Sequence, residues 1–505
     1  MTSCTRILLR SMAIGALIAA LPVTAVVHAA TLSATDLEGW WSAQASHAGD
    51  QTEIAIHFTE ENGKHNVRLT IPVIGFWESP FGEFEIAGEQ VTLKALKFSL
   101  TYDPTRQLLT GITPEEIVPV YRIPLEFRRA EPRPAPTPPK WNYPRPTQVW
   151  EYQGDGAIWA GLEYDPKSGQ LIVGTDAGSA IALDAASGRV NWMMGTGGRI
   201  RAQPTVLGQH VYVSSDDGNL YKLDQRTGST IWRARIDQGS QPRLDLGDEK
   251  FRWDRYGSSV VADDKRLFVG SRDGNVYALD PVRGTEIWRF RTGDMVTGTP
   301  ALHGDLVLFS SYDKHAYAVK AQDGSLQWKR GLQGELPSDV VIADDRALIG
   351  SRSYDLNALD PSSGEMRWQR YVWFSWIESA PIVRDGVAYV GTSDALKLFA
   401  LDVKDGRRVW ERTLPGWSWS RPAVRGNCVI AGTVGARAYS MPRDGALLAV
   451  NRASGAIEWL LPAPPVEGAK QWGFGASPIA TERAVYAADL AGRVYAHLRE
   501  GCSES

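Results

Sequence analysis

Tyr221-Lys-Leu-Asp-Gln-Arg-Thr-Gly-Ser-Thr-Ile-Trp232 decides the fold, because the chain keeps returning to it. Ile181-Ala-Leu-Asp-Ala-Ala-Ser-Gly-Arg-Val-Asn-Trp192 and Tyr277-Ala-Leu-Asp-Pro-Val-Arg-Gly-Thr-Glu-Ile-Trp288 follow the same order, and further units end at Trp328, Trp368, Trp410 and Trp459. Ahead of the clearest copies stands an apolar run closed by Asp-Gly, as in Val211-Tyr-Val-Ser-Ser-Asp-Asp-Gly218 and Leu267-Phe-Val-Gly-Ser-Arg-Asp-Gly274. Asp-Gly supplies the positive-φ backbone of a tight hairpin, and the second Asp and Gly close another turn. The apolar segments between turns are too short for helices and read as strands. Each unit of about 40 residues therefore predicts four antiparallel strands, one blade of a β-propeller.

Counting blades needs both ends of the repeat region. After Trp459 an eighth unit runs through Ala476–Ala480, Val485-Tyr-Ala-Ala488 and Val494-Tyr-Ala-His497, with no Trp strand of its own. Thr147-Gln-Val-Trp150-Glu-Tyr152 has the missing character and stands before the first full unit, so it can supply that strand and close the ring. The expectation is an eight-bladed propeller over residues 147–501, with seven blades as the alternative count.

The pattern Ala-x-Asp-x-x-(Thr/Ser)-Gly-x-x-x-Trp resembles the tryptophan-docking motif of PQQ-like repeats. Those repeats are found in quinoprotein alcohol dehydrogenases and in the propeller lipoprotein of the outer-membrane barrel-assembly machinery. The resemblance covers roughly residues 147–500, and Val319-Lys320 and Val450-Asn451 depart from the usual Leu-Asp. The dehydrogenases imply PQQ with Ca²⁺ as cofactor, an aromatic floor, basic partners for the PQQ carboxylates and an Asp base. Glu335, Asp339, Glu378 and Asp254 are then candidates for metal ligand or base. The adjacent cysteine pair that caps the cofactor in many members is absent, and no cofactor-binding set matches position by position. The lipoprotein branch implies an envelope protein partner. Its N-terminal cysteine anchor is replaced here by an additional domain and a proline-rich spacer.

The N-terminus places Arg6 and Arg10 before an apolar stretch, Met12 to Val27, and ends it with Ala29 and Ala30. That is the layout of a cleaved secretory signal over residues 1–30, which predicts a periplasmic or secreted protein without a membrane span. Cleavage removes two arginines and no acid, taking the formal net charge from −4 to −6. A mildly acidic chain without basic runs is a poor partner for nucleic acid. Cys428 and Cys502 remain in an oxidising compartment, either as one disulfide or as a buried thiol and a tail thiol.

Residues 31–130 alternate as strands do, at Ile54, Ile56, Phe58, at Val67, Leu69, Ile71, and at Ile123, Leu125, Phe127. They predict a small antiparallel β-sandwich or barrel. Residues 131–146, with Pro132-Arg-Pro-Ala-Pro-Thr-Pro-Pro139 and Tyr143-Pro-Arg-Pro146, read as an extended polyproline linker. The whole chain is thus expected to be all-β.

The docking Trp residues recur in every unit and belong to the scaffold, so function is sought in residues that escape the repeat. The loops entering each blade converge on the channel mouth and are rich in unrepeated aromatics: Trp159, Trp253, Tyr256, Trp373, Phe374, Trp376, Trp417, Trp419, Trp472 and Phe474. Interleaved charges are Arg199, Arg201, Arg252, Asp254, Arg255, Glu335, Asp339, Glu378, Arg421 and Lys470. Aromatic walls with a few charged anchors suit a small-molecule or glycan ligand. The same composition also suits docking of the N-terminal domain or of an envelope protein, or plain packing of the axis. Neither Gly-x-Ser-x-Gly nor His-Glu-x-x-His occurs, and His47, His57, His65, His210, His303, His315 and His497 show no metal-ligand spacing. Three readings stay open: a non-catalytic ligand- or partner-binding propeller, a PQQ-dependent oxidoreductase of alcohols or sugars, and a cofactor-free lyase or cyclase.

Overall fold

In the computed structural model, the described residues are 32–498 except 49, 62, 115–120, 138, 240–241, 245–251 and 438–442. The signal segment, Cys4 and Cys502 lie outside them. Eight antiparallel sheets follow one another in chain order. The first runs Glu163–Asp165, Gln170–Gly174, Ser179–Asp184 and Val190–Gly195 from the axis outward, and the later blades copy it. In the last blade Gln148–Gln153 pairs with Arg493–Leu498, with Trp150 opposite Ala496, so the ring closes with its N-terminal strand as expected.

The docking motif works between blades. Trp192 donates its indole N–H to the Gln225 carbonyl of the next blade at 2.7 Å, and Trp150, Trp288, Trp328, Trp368 and Trp410 make the same bond at 2.8–3.0 Å. The repeat glycine does more than turn the chain. A Cβ on Gly228 would sit 2.6 Å from the Trp192 ring, and one on Gly284 2.7 Å from the Trp232 ring. Glycine is required there for its positive φ and for the ring lying flat against it.

Strands from Gly39–His47 to Pro124–Arg129 form a closed eight-stranded barrel in sequential order, which resolves the sandwich-or-barrel alternative. Trp41 opposite Arg129 and Ser42 opposite Arg128 close it. The alternating residues read from the sequence, among them Ile56, Phe58, Leu69, Leu125 and Phe127, fill its centre with Trp41.

That core continues into the propeller. Tyr371, Trp373 and Phe374, at the end of blade five, are buried in the same apolar cluster as the barrel residues. Tyr121 of the barrel donates its hydroxyl to Asp355 at 2.8 Å, and Arg370 pairs with Asp50 at 2.7 Å. Burial pushes the Asp355 carboxyl up to about 7. The linker is held as well: Trp141 packs against the cluster around Leu448, Val450 and Leu460, and the Pro144 carbonyl accepts the Leu460 amide at 2.9 Å. Pro132, Pro134, Pro136 and Pro139 themselves stay exposed, and Pro146 is buried. Cys428, fully buried at the start of its strand, is disulfide-bonded.

Candidate functional site

The longest entry loop lies between strands Thr230–Arg235 and Val261–Ala262, and its residues 252–256 reach across the axis of the ring. Residues 252–256, Arg-Trp-Asp-Arg-Tyr, touch most of the other blades. Arg252 holds Asp294 bidentately at 3.0 and 2.9 Å and reaches Glu335 at 3.2 Å. Arg352 of blade five donates to the Arg252 carbonyl at 2.8 Å and to the Trp253 carbonyl at 3.1 Å. Asp254 pairs with Arg272 at 2.7 Å, and Tyr256 donates to the Gly475 carbonyl, at the entry to blade eight, at 2.8 Å. Trp253 adopts a φ of 59°, a left-handed conformation costly for so bulky a residue and sustained by these contacts.

Arg255 is the centre of this plug. Its guanidinium carbon lies 3.7 Å from the Trp419 ring centroid, 4.4 Å from Trp253 and 5.7 Å from Trp159, with Glu378 at 3.8 Å. Trp417 stacks on the far face of the cage, 4.8 Å from Trp419 at 18°. Burial lowers the Arg255 pKa to about 10, so the charge persists at neutral pH, facing indole π-clouds instead of water. Glu378 is shared with Arg352 at 2.6 Å, and Arg352 also holds Glu335 at 2.7 Å. Arg352 lies 4.9 Å from both the Tyr312 and Trp376 rings. Arg201 pairs with Asp176 and donates to the Arg255 carbonyl at 3.0 Å.

Beneath the plug is a polar chamber of about 220 Å³. Its wall is a ring of equivalent positions, each two residues before an innermost strand: Gly161, Gln203, Ser259, Thr299, Asp339, Ala380, Arg421 and Ser477. Tyr256, Trp419, Arg201 and Glu378 also line it, as does Glu163 on the first strand. Asp339 accepts the Thr299 amide at 2.7 Å, and Glu163 accepts the Gln203 side-chain amide at 3.0 Å. Burial holds both carboxyls above their ordinary range, with Arg421 pulling in the opposite direction on each.

The residues singled out from the sequence therefore separate into groups. Trp159, Arg201, Trp253, Arg255, Tyr256, Glu335, Trp376, Glu378, Trp417 and Trp419 assemble the plug and its clasp, while Asp339 and Arg421 line the chamber. Trp373 belongs to the barrel seat. Trp472 lies on the short strand Gln471–Gly473, paired to Cys428–Ala436, and Phe474 packs 5.8 Å from Tyr495, so both serve the core of the last blades. The aromatics expected to wall an open mouth instead fill it. Arg352, Tyr312, Asp176 and Glu163 were not singled out. The first three occupy the repeat's Asp-Gly-type turn, at the position after Ser or Thr where the chain carries Asp176, Asp216, Arg272, Tyr312, Arg352 and Ser393. That variability within an otherwise regular turn is the signal that could have found them.

The arrangement does not fit PQQ and Ca²⁺. Ligand pockets usually begin near about 300 Å³, above the size of this chamber. The indoles that would floor a quinone already stack on each other and on Arg255. Glu335, Glu378 and Asp254 are held by arginines. Among the described residues no group of three or more His, Cys, Asp and Glu converges to hold a metal ion.

Comparison with known proteins agrees with the fold. The chain is 25% identical over 372 residues to the outer membrane protein assembly factor BamB of Escherichia coli K12, across 61% of this chain and 92% of that one. To the protein of the same name from Burkholderia pseudomallei it is 26% identical over 234 residues, 43% of this chain, and it spans only 57% of that relative's length. Among solved structures, the computationally designed protein Ika8 superposes with a TM-score of 0.56 at 14% identity, covering 70% of this chain and 99% of that one, a likeness of fold alone. The barrel lies outside the segments matched by the family model described as outer membrane protein assembly factor BamB, which are residues 145–249, 241–372 and 318–501. Because those segments span well over half of the 505 residues, the chain belongs to the BamB family of PQQ-like repeat propellers.

Proposed function

We propose that this protein is an exported, periplasmic scaffold that binds envelope proteins during outer-membrane protein assembly. The observation that carries the reading is the closed mouth: Arg255 and its indole cage occupy the place where a propeller enzyme would receive substrate and cofactor. What the ring leaves accessible is its loop rims and outer strands, surfaces suited to protein partners. Family membership supplies the process, since the matched relatives are named as outer-membrane assembly factors. No helix among the described residues is long and apolar enough to cross a membrane. The acidic net charge of −4 disfavours nucleic acid as a partner.

Deleting the gene in the source bacterium and quantifying outer-membrane β-barrel proteins tests the proposal. Reduced levels, restored by the intact chain, are expected. An unchanged outer-membrane profile together with unchanged sensitivity to large antibiotics would overturn it.

A further inference from the structure

The chamber under the plug has no part in a protein-binding scaffold, and its wall is chemically uneven. Seven of its eight ring positions are uncharged or acidic, and the exception is Arg421 on blade seven. Asp339 stands on blade five and Glu163 on blade one, so the two carboxyls face each other across the ring, with Arg421 two blades from each. The Arg421 side chain makes no hydrogen bond or ion pair among the described residues. Its influence on Asp339 and Glu163 is through space. Opposite Arg421, the entry to blade three contributes Tyr256, Gly257, Ser259 and Val260 to the lining, and the Tyr256 hydroxyl is already committed to the Gly475 carbonyl.

We infer that this chamber binds a small zwitterion of amino-acid size, its carboxylate on Arg421 and its ammonium group toward Asp339 and Glu163. Arg201 and Glu378 also line the chamber but are already paired, with Asp176 and Arg352, so the charged groups left there without an ion-pair partner are the exposed Arg421 guanidinium and the Asp339 and Glu163 carboxyls. A mobile ammonium group supplies the missing positive charge, and the planar fork of Arg421 is suited to a carboxylate. A volume of about 220 Å³ holds roughly seven waters' worth of ligand, enough for an amino acid and too little for a nucleotide. Charge complementarity at both ends separates this ligand from a simple anion, which the two acids repel, and from a simple cation, which Arg421 repels.

The test uses the purified full-length mature chain and titration calorimetry with glycine, alanine and glutamine as zwitterions, and with acetate and methylammonium as the two separate halves. At least one zwitterion is expected to bind about tenfold or more tighter than either half. Arg421→Gln and Asp339→Asn should each weaken that binding by about tenfold or more. Should either variant fail to fold, the comparison of whole zwitterion with its halves on the unmodified chain still decides. No zwitterion binding below about 10 mM, or binding that both folded variants retain, overturns the inference. The readout is independent of outer-membrane protein levels, so either proposal can fail alone.

Discussion

The Arg255 guanidinium carbon lies 3.7 Å above the Trp419 ring, although the two residues come from loops entering opposite blades, three and seven. Together with the Tyr256–Gly475 hydrogen bond, this contact ties the ring together across its axis, in addition to the side-by-side packing of neighbouring blades. A cation held between indoles, with Glu378 as its counter-charge, turns the mouth of the propeller into core.

Arg255→Ala should therefore be costly. It removes the cation from the cage and leaves Glu378 with Arg352 alone, a change of the kind that costs about 3 kcal/mol or more when a buried charge loses its partner. A melting temperature within a degree of the unmodified protein would show that the cage contributes nothing to stability. Arg255→Lys should recover only part of the loss, because an ammonium group cannot lie flat against two rings.

Arg352 and Arg252 separate burial from mere pairing. Arg352→Ala breaks the buried bonds to Glu378 and Glu335 and should cost about 3–5 kcal/mol. Arg252 is 40% exposed, and Arg252→Ala should cost about 1 kcal/mol or less despite its three short contacts. Equal losses on chemical denaturation would contradict the placement of Arg352 as the clasp of the plug.

The repeat glycines make a paired prediction. Gly228 and Gly208 have similar φ, 72° and 64°, but a Cβ on Gly228 meets the Trp192 ring at 2.6 Å while one on Gly208 meets nothing within 4 Å. Gly208→Ala should cost about 1 kcal/mol, from backbone strain alone. Gly228→Ala should cost about 1–3 kcal/mol more, because the ring must move. Similar melting temperatures for the two variants would remove the ring contact from the explanation of the motif.

The seat of the barrel should respond to pH. Asp355 holds its proton up to about pH 7 when seated, against 3.8 ordinarily. An acid with a raised pKa favours the seated state fully below its ordinary value and progressively less as pH rises toward the shifted one. His47, packed 4.0 Å from Tyr121, is lowered by burial and opposes seating only as pH falls below 6.5. Asp50, also raised by burial, is paired with Arg370. Between about pH 6.5 and 8, Asp355 thus sets the slope, and calorimetry should show stability falling with pH by more than in Asp355→Asn. Identical pH profiles for the two proteins would contradict this assignment.

Much of the fold was legible because each blade repeats its own instructions. Trp, Asp and Gly at fixed spacing specify strands, turns and the inter-blade bond, and Trp150 betrayed the closing strand. The barrel was legible as strands, from Ile54, Ile56 and Phe58, but not as a closed cylinder, since alternation fixes the buried face and not the pairing of first and last strands. The candidate site was legible in composition and not in role. Trp419 and Arg255 were visible as unrepeated residues converging on the axis, but only tertiary structure decides whether such residues line a cavity or fill it. Trp373 and Trp472 look identical to Trp419 in sequence and serve a domain seat and a blade core. Arg352 was hidden because it stands where the repeat expects a turn residue.

The central claim, that the propeller acts through protein contacts around a closed mouth, is tested most directly by photo-crosslinking in the source bacterium. A photoreactive residue at exposed positions such as Val282 on a rim turn, 75% exposed, or Ile231 on an outermost strand, 49% exposed, should capture discrete envelope proteins of the outer-membrane assembly process. The same probe at buried Trp253 neighbours should not. Absence of adducts from a scan of the entire rim, alongside stoichiometric PQQ and dye-reducing activity in the purified chain, would contradict the account.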